Sequence, residues 1–361
     1  MIKSKRKAAA IWLAAGAVLL AAALMAVGYF RKEGSSGGAS SGQIYLYGEE
    51  HDQEEIQNWE LELWGKYYQE DGMRHLFVEH PYYTAEFLNL WMQQEGDAIL
   101  DMVSENAGES LFESPAEQAF FEEIKEQYPE TIFHGTDVGH QHDTIGNYYL
   151  TCLQENGQQD SERFALAQEA VEQGEYFYTY GDHVYRENKM TENFIREFDR
   201  LDGADVMGIY GAAHTALDGM DYMTNSVPCM ASQLKERYGE QVHSEDLAVK
   251  FRGAVEPIRT ETLEIGGKTY QAAYFGEEDL SSTLPGYQRR EFWRLENAYE
   301  DFKDCKTVDV LPYDNFPMLV EDGQAFAIDY TLADGSVERG LFRADGKIWN
   351  GLPVAEQILL E

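Results

Sequence analysis

The chain has 361 residues, enough for an anchor, a core domain of ordinary size and a smaller second domain. Acidic residues outnumber basic ones by 65 to 28; the first 32 positions carry six positive charges and no negative ones, so the net charge of -37 leaves -43 for the rest. Such a surface repels phosphate backbones, which excludes a nucleic-acid role, and it suits solubility outside the cell. Cys152, Cys229 and Cys305 are odd in number and widely spaced. They make neither a disulfide framework nor a zinc knuckle and read as small buried hydrophobes, with one disulfide left open.

Lys3, Lys5, Arg6 and Lys7 precede an uncharged apolar run from Ala8 to Phe30, and Arg31 and Lys32 follow it. That length favours an uncleaved transmembrane helix over a signal peptide, whose apolar core is shorter. The basic bias predicts a cytoplasmic N-terminus and an extracytoplasmic main domain at the cell membrane. Residues 33–42, EGSSGGASSG, form a flexible linker. Their G-x-S-x-G match lacks the strand and helix of a nucleophile elbow and is accidental.

Ile44 to Tyr47 is a strand-favouring run ending at Gly48, with Glu49, Glu50 and His51 next. Asp52 and Glu55 have capping-box spacing for a helix from Asp52 to Gln69, with Ile56, Trp59, Leu63 and Tyr67 on its apolar face. A second strand, Arg74 to Glu79, ends at His80, and Pro81 opens a helix. Ser114-Pro115-Ala116-Glu117 is a helix start, and Thr131 to Phe133 a third strand leading to Asp137, His140 and His142. Residues 162–201 are helical in pattern, with tyrosines 176, 178, 180 and 185 in the middle. A strand from Val206 to Tyr210 enters Gly211-Ala212-Ala213-His214, and a helix ends near Tyr238.

Strands alternating with helices predict a mostly parallel sheet flanked by helices over 43–245. Residues 250–361 read as a small α+β module with an antiparallel meander. Gly266-Gly267 and three Asp-Gly pairs mark its turns; residues 287–303 read as a helix, and Phe326, Ile328, Tyr330 and Leu332 as one strand face.

In an open α/β sheet ligands bind at the carboxyl ends of the strands. That edge collects His51, Glu79, His80, Asp137, His140, His142 and His214. Imidazoles and carboxylates without thiolates suit Mn, Fe, Co or Zn, which would activate water; without a metal, a histidine paired with a carboxylate serves as general base. One histidine after a strand is more often a polar loop residue, and two matched G-x-x-H turns shift that balance. The tyrosines are read as core or pocket wall ahead of a haem box.

The two G-x-x-H turns, with Glu79 and Arg186-Glu187-Asn188-Lys189-Met190 between them, resemble the motifs of the TraB/Tiki proteins, whose superfamily includes ChaN-type haem-binding proteins and the erythromycin esterases. The resemblance covers residues 43–240. It implies a hydrolase of amides or esters acting on a peptide or small molecule, with a divalent metal (Mn, Co or Zn) held by His51, Glu79 and His214. Arg186 would meet a carboxylate or oxyanion, and Asn188 would orient the site. In the esterase branch His51, with Glu49 or Glu79, activates water directly, and Glu49 leans toward that pattern. The ChaN branch implies the alternative, a surface protein binding haem or another ligand without catalysis.

Overall fold

The computed structural model describes residues 41–281, 284–349 and 352–360. The expected cytoplasmic tail and transmembrane helix, and nearly all of the expected linker, lie outside the described residues. No helix among the described residues is long and apolar enough to cross a membrane. The chain divides into two units, Met1–Asp246 and Leu247–Glu361.

In the first unit, five strands form one sheet: β1 (Ile44–Glu49), β2 (His75–Pro81), β3 (Ile132–Asp137), β4 (Val206–Gly211) and β5 (Val242–Asp246), in the order β3-β2-β4-β1-β5. Every neighbouring pair is parallel. Parallel strands need long crossovers, and helices supply them. These are α1 (Glu54–Lys66), α2 (Tyr82–Met92), α3 (Ala98–Ala107), α4 (Pro115–Gln127), α5 (Asn147–Glu155), α6 (Glu162–Tyr180), α7 (His183–Phe198) and α8 (Met230–Tyr238). β4 is buried along its whole length, as a central parallel strand should be. Ile44, Leu46, Phe77, Val206 and Tyr210 pack with Met190, Phe194 and Phe198 of α7 and with Met230 and Leu234 of α8.

Ser114 caps α4 by accepting from the Glu117 amide at 3.1 Å, with Pro115 in the first turn. Gly181, at φ 61°, splits the helical stretch 162–201 into α6 and α7, and Asp182 then caps α7. Two expectations need correcting at α1. Asp52 lies in the left-handed region at φ 62°, so the cap position falls to Gln53 and no side-chain cap forms. The buried face is Ile56, Gln57, Glu60 and Trp64, offset from the apolar stripe and partly polar.

The second unit is a six-stranded antiparallel sheet, ordered β11-β10-β9-β8-β7-β6. Its strands are β6 (Arg259–Ile265), β7 (Lys268–Asp279), β8 (Tyr287–Leu295), β9 (Ala325–Leu332), β10 (Val337–Arg343) and β11 (Glu356–Ile358). Gly266 and Gly267, both at positive φ, make the β6–β7 turn. Residues 287–303 are not one helix: β8 pairs with β7 and β9, and only Tyr299–Phe302 is helical. Ladder pairing on both sides overrides the local helix preference of that Arg- and Glu-rich stretch. Separate apolar clusters, one around Trp293 and one around Phe316 and Phe326, cover the sheet.

Candidate active site

β2 gains one residue against β3 between Val78 and Pro81, a bulge at the carboxyl end of the strand. Gly135 of β3 makes this possible, since a methyl group there would collide with the carbonyls of His80 and Pro81. The bulge lets Glu79 and His80, successive residues, both face one cavity. Neighbouring helices hold β3 in place. Asn89 of α2 exchanges both hydrogen bonds with the Phe133 backbone, at 2.8 and 2.9 Å, and Asn193 of α7 donates to the Thr136 carbonyl at 3.0 Å.

Arg186, in the first turn of α7, crosses these strand ends. Its Nη2 donates to Glu79 Oε1 and to Asp137 Oδ2, both at 2.6 Å, and its Nε to Asp137 Oδ1 at 3.1 Å. Asp137 Oδ2 also lies 2.7 Å from His140 Nε2. Among the described residues Nη1 of Arg186 has no hydrogen-bond partner, and the side chain lines the cavity. Burial would raise the Asp137 carboxyl, but Arg186 and His140 pull it far below the usual carboxylate range. At Glu79 burial is likewise outweighed by His214, Arg186 and His51, which bring it down to about 2.

The two G-x-x-H turns interlock. A methyl group on Gly48 would strike the Thr215 hydroxyl and lie 3.0 Å from Ala212 Cα; one on Gly211 would lie 3.1 Å from His51 Nε2 and 3.4 Å from Glu79 Oε2. Each glycine therefore clears space for the other turn. His51 Nδ1 is 2.9 Å from Glu49 Oε1, which fixes the tautomer with a free Nε2. That hydrogen bond is the main cause raising the imidazole above its ordinary value; burial opposes it, and Glu79 adds to it. Solvent tempers the shift, because 61% of the side chain is open.

His214 is buried behind Glu79 and outside the cavity lining. Its Nδ1 donates to Glu187 Oε2 at 2.7 Å, and its Nε2 is 3.5 Å from Glu79 Oε1. Burial disfavours its charge, yet Glu79 and Glu187 together raise its pKa. Glu187 Oε1 also accepts the Met230 amide at the start of α8. Tyr222 packs edge-on against the His214 ring.

His51, Glu79, Arg186 and His214 thus converge, with Glu49 beside His51. Asn188 does not join them: its carbonyl accepts from Gln233 of α8 at 3.2 Å. His142 stacks on Tyr178 of α6, and the Tyr176 ring is tilted against Tyr180 and against Tyr185 of α7. The cavity, of about 250 Å³, is completed by Gln57 and Glu60 of α1, by Leu111 and Glu113, and by Glu117, Phe120 and Phe121 of α4. Glu187 and Glu60 were not expected. Glu187 sits four positions from His183 and three from Met190, a spacing that marks an inward helix face.

The three expected metal ligands do not fit a metal ion. Both oxygens of Glu79 are taken, one by Arg186 and the other by the Gly211 amide at 2.6 Å. A cation there would press on the guanidinium. The nitrogens of His214 face Glu187 and Glu79, leaving His51 Nε2 as the sole open donor of the three. Among the described residues no three His, Cys, Asp or Glu side chains converge to hold an ion.

No protein-family model matches the chain, and no curated protein is similar to it at a significant level. Three solved structures are similar in backbone. A Bacillus cereus protein shares 12% identity over 70% of this chain and 76% of its own, with a TM-score of 0.42. The erythromycin esterase EreC, in the open conformation of a His-to-Asn mutant, shares 11% over 70% and 82%, with a TM-score of 0.43. A succinoglycan biosynthesis protein shares 16% over 56% and 65%, with a TM-score of 0.39.

Proposed function

We propose that the first unit is a hydrolase of esters or amides in which His51 is the general base. The observation that carries this reading is the His51–Glu49 pair, whose free Nε2 opens on the cavity lined by the Arg186 guanidinium. In the neutral imidazole, the form present above the ring's raised pKa, His51 Nε2 takes a proton from water as its oxygen bonds to the substrate carbonyl carbon. The carbonyl oxygen gains the negative charge and meets Arg186 Nη1. As the tetrahedral centre collapses, the imidazolium returns that proton to the departing alcohol or amine. Glu79 and Asp137 fix the guanidinium from both sides, and His214, held by Glu187, backs Glu79. No step needs a metal, so treatment with a chelator leaves turnover unchanged.

The test is hydrolysis of an ester and amide panel by the purified protein. His51→Ala lowers turnover by about 100-fold or more while keeping its melting temperature. Full turnover in that variant sinks the reading. The N-terminal sequence supports a tethered, extracytoplasmic placement; digestion of the main domain by protease on intact cells is the expected result, and protection would refute it.

A further inference from the structure

α1 turns two polar side chains into the first unit. Glu60 is 1% exposed and Gln57 9%, they lie one turn apart, and both line the cavity. The Oε1 atom of each is buried without a hydrogen bond among the described residues. A buried acceptor left unpaired costs about 1–3 kcal/mol, so such atoms in a native protein call for an explanation.

Apart from the exposed Asp52 and Glu113, the other acids around the cavity show what is missing. Glu79 and Asp137 are matched by Arg186, Glu117 by His80 at 2.8 Å, and Glu49 by His51. Among the described residues, Glu60 is the buried carboxyl of the cavity wall with no cationic partner. Burial first, and then the charge on Glu49, keep it well above the usual carboxylate range in the protein alone. Val78, Leu111, Phe120, Phe121 and Ile209 contribute hydrocarbon to the same cavity wall. Two buried acceptors, one of them an acid, beside an apolar surface complement an organic ammonium. The cation satisfies the oxygens and its carbon body covers the aromatic wall.

We propose that Gln57 and Glu60 form the subsite for a protonated amine carried by the substrate. The word substrate rests on the hydrolase reading; the binding of the amine does not. Benzylamine, protonated at neutral pH, and benzyl alcohol, its uncharged counterpart, are titrated into the purified protein by calorimetry. The amine binds at least about tenfold more tightly than the alcohol, as befits a desolvated charge pair. Glu60→Gln, a neutral isostere, brings the two within about twofold, and Gln57→Leu weakens the amine while sparing the alcohol. Equal binding in the native protein, preference for the alcohol, or an amine preference that survives Glu60→Gln overturns the proposal. Repeating the titration with His51→Ala separates the two readings. Amine preference through Glu60 without hydrolysis of any ester or amide leaves the subsite standing and removes the hydrolase; His51-dependent hydrolysis without amine preference does the reverse.

Discussion

Gly211 is the residue at which packing and chemistry meet most closely. An alanine there pushes on the His51 ring, which is free to swing because most of it faces solvent. Gly211→Ala is therefore expected to lower kcat by about 10- to 100-fold through misplacement, with little change in melting temperature. Paired melting and turnover measurements check this. Glu187 behaves in the opposite sense. Its removal strands His214 Nδ1 and the Met230 amide in a dry interior, so Glu187→Ala costs about 3–5 kcal/mol in denaturant unfolding. These residues also show how far side-chain placement could be read from residue order. The two histidines and Glu79 announce themselves, since each follows an apolar run that ends at a sheet edge. Asp137 was legible as a strand end, but its bond to Arg186 spans 49 positions and depends on where α7 lies. Glu60, in the run WELELW, looks like any solvated helix acid, and only the offset of the buried face reveals it.

At the scale of elements, the loop from Asp221 to Val227 seats Tyr222 against His214. The Asp221 carboxylate accepts the Thr224, Ser226 and Val227 amides, at 2.8, 2.9 and 3.2 Å. Burial alone would raise its pKa, but these amides and the Thr224 hydroxyl bring it down to about 2. A carboxyl lowered on folding contributes stability above its unfolded pKa, near about 4, and loses it as pH falls through the folded value. Protection of the 221–227 amides from exchange, relative to the unstructured chain at the same pH, should therefore be high at neutral pH and fall between about pH 4 and pH 2, and Asp221→Ala should abolish that dependence. Strand ends follow a stricter rule. Gly48→Ala sets a methyl group against Ala212 backbone and the Thr215 side chain, and destabilises the first unit by about 1–3 kcal/mol in thermal unfolding. Periodicity located the first four parallel strands. It missed β5, which is short and polar, and misread β8, because an Arg- and Glu-rich stretch takes its conformation from the ladders on either side.

Over the whole molecule, each unit has its own apolar clusters. Residues 41–246 and 247–361, produced separately, are each expected to unfold cooperatively, and the first to retain the turnover of the full chain; calorimetry of the fragments checks the former and the substrate panel the latter. The order β3-β2-β4-β1-β5 has a further result for synthesis on the ribosome. β1 and β2 share no hydrogen bonds; β4, emerging more than 120 residues after β2 ends, is the slat that joins them. A growing chain that stops short of residue 206 has made His51, Glu79 and Arg186, yet β1 is still unjoined to the β2–β3 pair and bare edges remain. Translation must pass β4 before there is a floor for the reaction to stand on, and until then those edges are exposed to any neighbouring strand or chaperone.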